Sequence, residues 1–296
     1  MEAEQGTVAA VSCNDTYAFT KPVRDEIVLI AGVGVAGDVH AGVHVKHRGR
    51  VRADAKQPNF RQVHLIQQEL FAEVGAKGYA VAAGNLGENV TTSGIDLLAL
   101  PVGTILRFGS AERAGGAEFA GGSAVGGHEP AAEAGAAAEA GAAAETGAAA
   151  EAWGAARASA AAATNSTAAG DGLGDAAGEG LHGARGSLTA VLEVAAAAEL
   201  DAATAASAVA LAAAAGRDRG DDPRPAVVLA GLRNPCAQIN VFRDGLLKEV
   251  VGRGADGGVV YKAGVMAVVL RGGAVRAGDV VCAELPPGPR APLQRV

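Results

Sequence analysis

The chain has 296 residues, 49% hydrophobic but only 3% aromatic, with 43 glycines and a formal net charge of −7. Alanine inflates the hydrophobic figure, and it sits in one block: residues 111–220 hold 46 alanines, 19 glycines and a net charge of −9, leaving +2 for the other 186 residues. That near-neutral remainder does not advertise nucleic-acid binding, no run of 18 strongly apolar residues offers a membrane span, and Cys13, Cys236 and Cys282, without CxxC spacing, make neither a disulfide framework nor a zinc ribbon.

The first residues, MEAEQGTVAAVS, lack the basic start and apolar stretch of a signal peptide, so a reducing, cytoplasmic setting is expected. Short apolar or alternating runs at Thr7–Val11, Ile27–Ile30 and Thr104–Phe108 predict strands, with Gly, Pro and Asp between them. Gln62–Gly75 predicts a helix, because Val63, Ile66, Leu70 and Val74 recur at helical spacing and Gly75 and Gly78 stop it. The alanine block carries a short repeat from Ala131 to Gly154, with a glycine in each unit that weakens any helix. With few large apolar side chains, residues 111–185 cannot offset their ordering entropy by burial. Ser187–Ala215 has Leu188, Val191, Leu192, Val194, Leu200, Val209 and Leu211 in an Ala-rich run without glycine, and one or two weak helices are expected there. Further strands are predicted at Ala226–Ala230, Gly258–Tyr261, Val265–Leu270 and Val280–Glu284, with a short helix at Asp244–Gly252.

Many short strands with Gly-rich turns predict a mainly β barrel or sandwich with a few short helices. One strand ends just before the block and another begins just after it. The reading is therefore one β domain in two parts, 1–110 and 226–296, interrupted by an Ala/Gly-rich insertion at 111–225 that is mostly disordered or weakly helical. Deleting 115–220 is then expected to leave a folded domain.

Four stretches carry candidate chemistry. GVGVAGDVHAGVHVKHRGRVR, residues 32–52, packs Asp38, His40, His44 and His47 among glycines. It continues with Lys46, Arg48, Arg50 and Arg52, which would share one face of an extended segment and suit a phosphate. Arg61, His64 and Gln68 fall on one side of the predicted helix, Arg61 in its first turn, where backbone N–H groups favour anions. GNLGENVTT, residues 84–92, gathers Asn85, Glu88, Asn89, Thr91 and Thr92, donors and acceptors enough to hold a heteroatom-rich ring. LRNPCAQIN, residues 232–240, places Cys236 after Arg233 and Asn234, where positive charge would favour a thiolate as metal ligand or nucleophile. Cys13 and Cys282 lie inside apolar strand patterns and read as inert.

Taken in this order, GVGVAGDVHAG, RQVHLIQQEL, GNLGENVTTSGIDLLALPVGT, LRNPCAQI and KAGVMAVVLRGGAVRAGD resemble a MOSC domain, the C-terminal domain of molybdenum-cofactor sulfurases. They cover most of 1–110 and 226–285, and the alanine block has no counterpart in the pattern. The resemblance implies a β-barrel and two family roles. In one, Cys236 binds molybdenum cofactor (molybdopterin) through the metal, and the protein is an oxidoreductase that reduces N-hydroxylated small molecules with electrons from an external donor. In the other, Cys236 carries sulfur as a persulfide received from a cysteine desulfurase, and pyridoxal phosphate enters only through that partner. Asn89, Thr91 and Thr92 match the pterin-side loop in kind, and Arg61 and the basic run match less closely. A soft thiolate suits the first role, and the phosphate-friendly residues fit it better. A plain metal site at Asp38, His40, His44 and His47 is a further reading, although its spacing fits no strong zinc signature. No ferredoxin-type cysteine set and no flavin or nicotinamide fingerprint is visible.

Overall fold

The computed structural model describes residues 4–109, 188–254 and 257–296. In chain order the first strands are β1 (Gln5–Ser12), β2 (Val23–Arg24), β3 (Glu26–Ile30), β4 (Gly34–Val35), β5 (Val63–Gln67), β6 (Val90–Ser93) and β7 (Ile105–Phe108). The later ones are β8 (Ala226–Leu232), β9 (Val251–Arg253), β10 (Val259–Tyr261), β11 (Val265–Arg271), β12 (Gly273–Arg276) and β13 (Val280–Glu284). The main sheet runs β13-β7-β8-β11-β5-β6-β1, and β1 pairs back onto β13, so seven strands close a barrel with β2 appended to β1. Neighbours are antiparallel except β5 and β6, which are parallel. Closure leaves the barrel without a free edge. A three-stranded sheet, β12-β3-β4, and the hairpin β9–β10 lie outside it.

Alternation along the strands explains three packing layers. Val63, Leu65, Val227, Leu229, Val265, Ala267 and Val269 point into the barrel with Val8, Val11, Leu106 and Phe108. The opposite faces of β8 and β11, with Val228, Ala230, Val268 and Leu270, pack under Leu188, Val191, Leu211 and Ala214. Both faces of these strands are therefore covered, which is why they read as unbroken apolar runs. A third cluster places Ile66 against Leu70, Val74, Ile239, Leu246 and Val250.

The helix predicted over Gln62–Gly75 is corrected. Only Glu69–Gly75 is helical, and Val63–Gln67 is β5. The 3.6-residue pattern coincides there with strand-forming residues, and pairing with β11 on one side and β6 on the other decides the outcome. Leu246–Val250 is helical inside the predicted 244–252, and the chain passes directly into β9.

The repeat at 131–154 lies outside the described residues. From residue 188 the block forms two helices, 188–197 and Ala202–Arg217, as expected in kind. They are more than weak appendages. Asp201 caps the second by accepting from the Thr204 N–H at 2.9 Å. Ser207 Oγ donates to the Ala230 carbonyl at 2.7 Å, and Arg217 Nη2 donates to the Gly103 carbonyl at 2.7 Å. Just beyond, Asp218 accepts from Arg107 at 3.2 Å and Arg271 at 3.0 Å, on β7 and β11. Alanine suits this position because a small side chain lets a helix lie close to the sheet, as Ala210 does over Gly103. Among the described residues no helix is long and apolar enough to cross a membrane.

Candidate functional site

A cavity of about 270 Å³ opens where the chain leaves β1, enters β5 and β6, and leaves β8. Lys21, Lys46, Arg61 and Arg233 line it with His40, His47 and His64, and no aspartate or glutamate is among its lining residues. Asn59, Asn89 and Asn234 add amides, Tyr17 and Phe19 add rings, and Cys236 stands at the wall.

Asp38 lies behind this lining with its side chain fully buried. Its Oδ2 accepts from Lys21 Nζ at 2.6 Å and Asn89 Nδ2 at 2.9 Å. Its Oδ1 accepts the His40 backbone N–H at 3.0 Å and faces His40 Nδ1 at 3.2 Å. Burial alone would raise its pKa; the hydrogen bonds from His40 and the Lys21 ammonium hold the carboxyl well below the usual range instead.

The cationic side chains are crowded. Burial, then the neighbouring Arg233 and Arg50, lowers the Arg61 pKa to about 10. Arg61 donates through Nη1 to the Val296 carbonyl at 2.9 Å. Burial likewise lowers Arg233, whose guanidinium lies over the Phe19 ring at 5.9 Å. Its Nη1 is a buried donor with no partner among the described residues. His47 Nδ1 is in the same position, and burial with the Arg61, His40, Arg233 and Arg50 charges pushes its pKa down to about 4. His64 is held neutral by burial, with Nε2 at 2.8 Å from the Ala263 carbonyl. Cys236 is half-buried, its Sγ 3.6 Å from Gln238 Oε1. Burial raises the Cys13 thiol to about 12, in keeping with an inert role.

Of the sequence candidates, the fold brings Lys46, Arg61, His64, Asn89, Arg233, Asn234 and Cys236 to one cavity. Arg61 and His64 arrive on the approach to β5 and on β5 itself, not on one side of a helix. The basic run does not alternate on an extended face, because Arg48–Ala53 is helical. Arg50 borders a separate hollow beside Glu199 and Asp201.

The loop at 84–92 sends only Asn89 and the Gly87 backbone into the cavity. Glu88 is spent on the loop itself: it accepts the Gly84 N–H at 2.5 Å, the Leu86 N–H at 3.0 Å and the Thr91 hydroxyl at 3.3 Å. Burial pushes its pKa up against these bonds. Asn85 accepts the Ala82 N–H in a turn, and Thr92 is buried in β6. Gly84 sits at φ +79, and a Cβ there would lie 2.0 Å from the Lys21 carbonyl. Gly84→Ala is therefore expected to cost about 1–3 kcal/mol and to lower the thermal midpoint, read by circular dichroism. An unchanged midpoint would contradict the close approach.

Tyr17, Phe19, Lys21, Asn59, Gln238 and Met266 also line the cavity, and sequence reasoning missed them. Lys21 carries no local motif; β1 and the turn after it bring it to Asp38. Asp38 meets His40, and His47 stacks on the His40 ring, but no group of three or more His, Cys, Asp or Glu side chains placed to hold a metal ion exists among the described residues. The plain metal reading is therefore unsupported.

No family model matches the chain, and no curated protein matches it. Its structure is similar to that of the YuaD protein from Bacillus subtilis, at 14% identity and a TM-score of 0.50, over 96% of this chain and 98% of that one. YiiM from Escherichia coli aligns at 12% identity and a TM-score of 0.38, over 98% of this chain and 73% of that one. The likeness to YuaD shows that the two chains share a fold.

Proposed function

We propose that this chain is a MOSC-domain protein that holds molybdenum cofactor in the cavity, with Cys236 as the metal-binding thiolate, and reduces N-hydroxylated compounds. The observation that carries the reading is a cavity with four basic side chains, no lining carboxylate, and a thiol at its wall. Molybdopterin presents a phosphate, a hydrogen-bonding pterin and a soft metal, and the donor set fits each. The partnerless Nη1 of Arg233 and the guanidinium of Arg61 suit the phosphate, with Lys46 near the mouth. Asn234 would meet the pterin, and the Cys236 thiolate suits the soft metal. Glu88 and Thr91, expected at the pterin, instead keep the loop in shape, and Thr92 is buried in β6. Bound cofactor supplies the two-electron redox chemistry, while the chain orients it and sets its electrostatic surroundings. Electrons come from an external donor.

Protein made in a host that synthesises the cofactor is expected to carry molybdenum and pterin. Cys236→Ser should lose at least nine-tenths of the metal, measured by plasma mass spectrometry. Equal metal in both proteins would sink the proposal. A one-sulfur mass increment on Cys236 after incubation with a cysteine desulfurase, without molybdenum, would favour the persulfide role instead.

A further inference from the structure

We propose that His40 is the proton-transfer residue of this cavity, with Asp38 and Lys21 as the residues that position it. The inference rests on the proposed reduction, because cleaving an N–OH bond consumes protons: R₂N–OH + 2 e⁻ + 2 H⁺ gives R₂NH and water. Both electrons come from the external reductant. One proton must reach the departing hydroxyl oxygen as the N–O bond breaks.

Few lining groups have a proton to give. The Arg61 and Arg233 guanidinium groups retain theirs. Lys21 is buried and tied to Asp38. The Tyr17 hydroxyl donates to the Lys46 carbonyl. Of the three imidazoles, His64 is fully buried and bonded to Ala263, and His47 is desolvated and neutral. His40 differs from both. It is the one whose Nδ1 meets a carboxylate, and its side chain is 26% exposed. Nε2 has no partner among the described residues.

The carboxylate is itself fixed from three sides, by Lys21, Asn89 and the His40 backbone. It therefore sets the tautomer: Nδ1 keeps its hydrogen on Asp38, and Nε2 gives and regains the transferred proton. A buried acid orienting an imidazole in this manner recurs wherever a histidine must move protons in a fixed direction. His47 stacks on the His40 ring at 6.5 Å and Tyr17 meets it edge-on at 5.9 Å, which limits its rotation. The charges facing the ring are thus Asp38 and Lys21 behind it, and Lys46, Arg61 and Arg233 around the cavity.

The test combines three readouts, two of them on both wild type and His40→Gln. Molybdenum content should be equal in both. With an N-hydroxylated amidine as substrate and reduced methyl viologen as electron source, the variant should lose at least tenfold in kcat, with KM within twofold. Long-range ¹H–¹⁵N spectra of cofactor-free wild type should show neutral His40 with hydrogen on Nδ1. A wild-type rate in His40→Gln, or a neutral ring with hydrogen on Nε2, overturns the assignment and leaves the cofactor reading intact. Wild-type protein without molybdenum overturns the cofactor reading, and the tautomer spectrum then decides the His40 assignment alone.

Discussion

Asp38→Ala lowers the stability of the fold by about 3–5 kcal/mol at neutral pH, the cost of breaking a buried ion pair from one side. The Lys21 side chain is 4% exposed and would face the barrel wall without its counter-charge. Asn89 would lose its 2.9 Å bond to the same oxygen, and Asn89 also ties Ser12 and His64 together across β1 and β5. Urea denaturation at pH 7 measures the effect. An equal midpoint for variant and wild type would show that water or a shifted side chain takes over the pairing. The pH dependence has a definite sign. In the unfolded chain Asp38 takes up a proton near the ordinary value of 3.8, whereas in the fold it does so only at lower pH. Between those two points the unfolded state binds more protons, so this contribution is full above the ordinary value and is lost as the pH falls below it. Wild type should lose more stability than Asp38→Ala on moving from pH 7 to about pH 3.

Leu211→Ala is expected to cost about 2–5 kcal/mol, the range for emptying a closely packed leucine site. Leu211 is fully buried, and with Leu188, Val191 and Ala214 it covers Phe60, Val228 and Val268 on the outer face of the barrel. Val209→Ala, two positions away on the same helix and 71% exposed, should stay within about 0.5 kcal/mol of wild type. Equal losses in both variants would mean that the helix is not docked as described. The same packing revises the deletion expected to be harmless. Removing 115–220 takes away Leu188, Val191, Leu211 and Asp218, strips β8 and β11 on one face, and leaves Arg107 and Arg271 without a shared partner. Loss of cooperative folding is now the expected outcome.

The strand runs were legible because β-structure writes a short-range signature. Val280–Glu284 coincides with its predicted bounds, and Val265–Arg271 extends its run by a single residue. The failure at Gln62–Gly75 has a physical origin. Val63, Ile66, Leu70 and Val74 satisfy helical spacing, but long-range pairing with β11 and β6, which no local pattern records, makes the first part a strand. The alanine-rich helices were legible as helices. Their burial was not, because alanine carries little hydrophobic signal and earns its place by closeness to Gly103 and β8. In the cavity, Cys236, Arg233 and Asn234 were readable as a cluster because they are neighbours in sequence. Lys21 was not, because its role depends on a carboxylate that only the fold brings near. Glu88 and Thr91 looked like ligands because a loop that bonds to itself has the same composition as one that bonds to something else.

Barrel closure also sets an order of events during synthesis. β1 is made long before its partner β13, and Gln5 pairs with Cys282. Until then β1 presents an unsatisfied row of N–H and C=O groups on one side, a template for pairing with another chain. Contacts this distant in sequence slow folding and lengthen the exposure of such edges. Truncation just before Val280 would therefore leave a seam open in an otherwise complete wall, and the product is expected to aggregate through β1 and β7, the two strands that β13 separates.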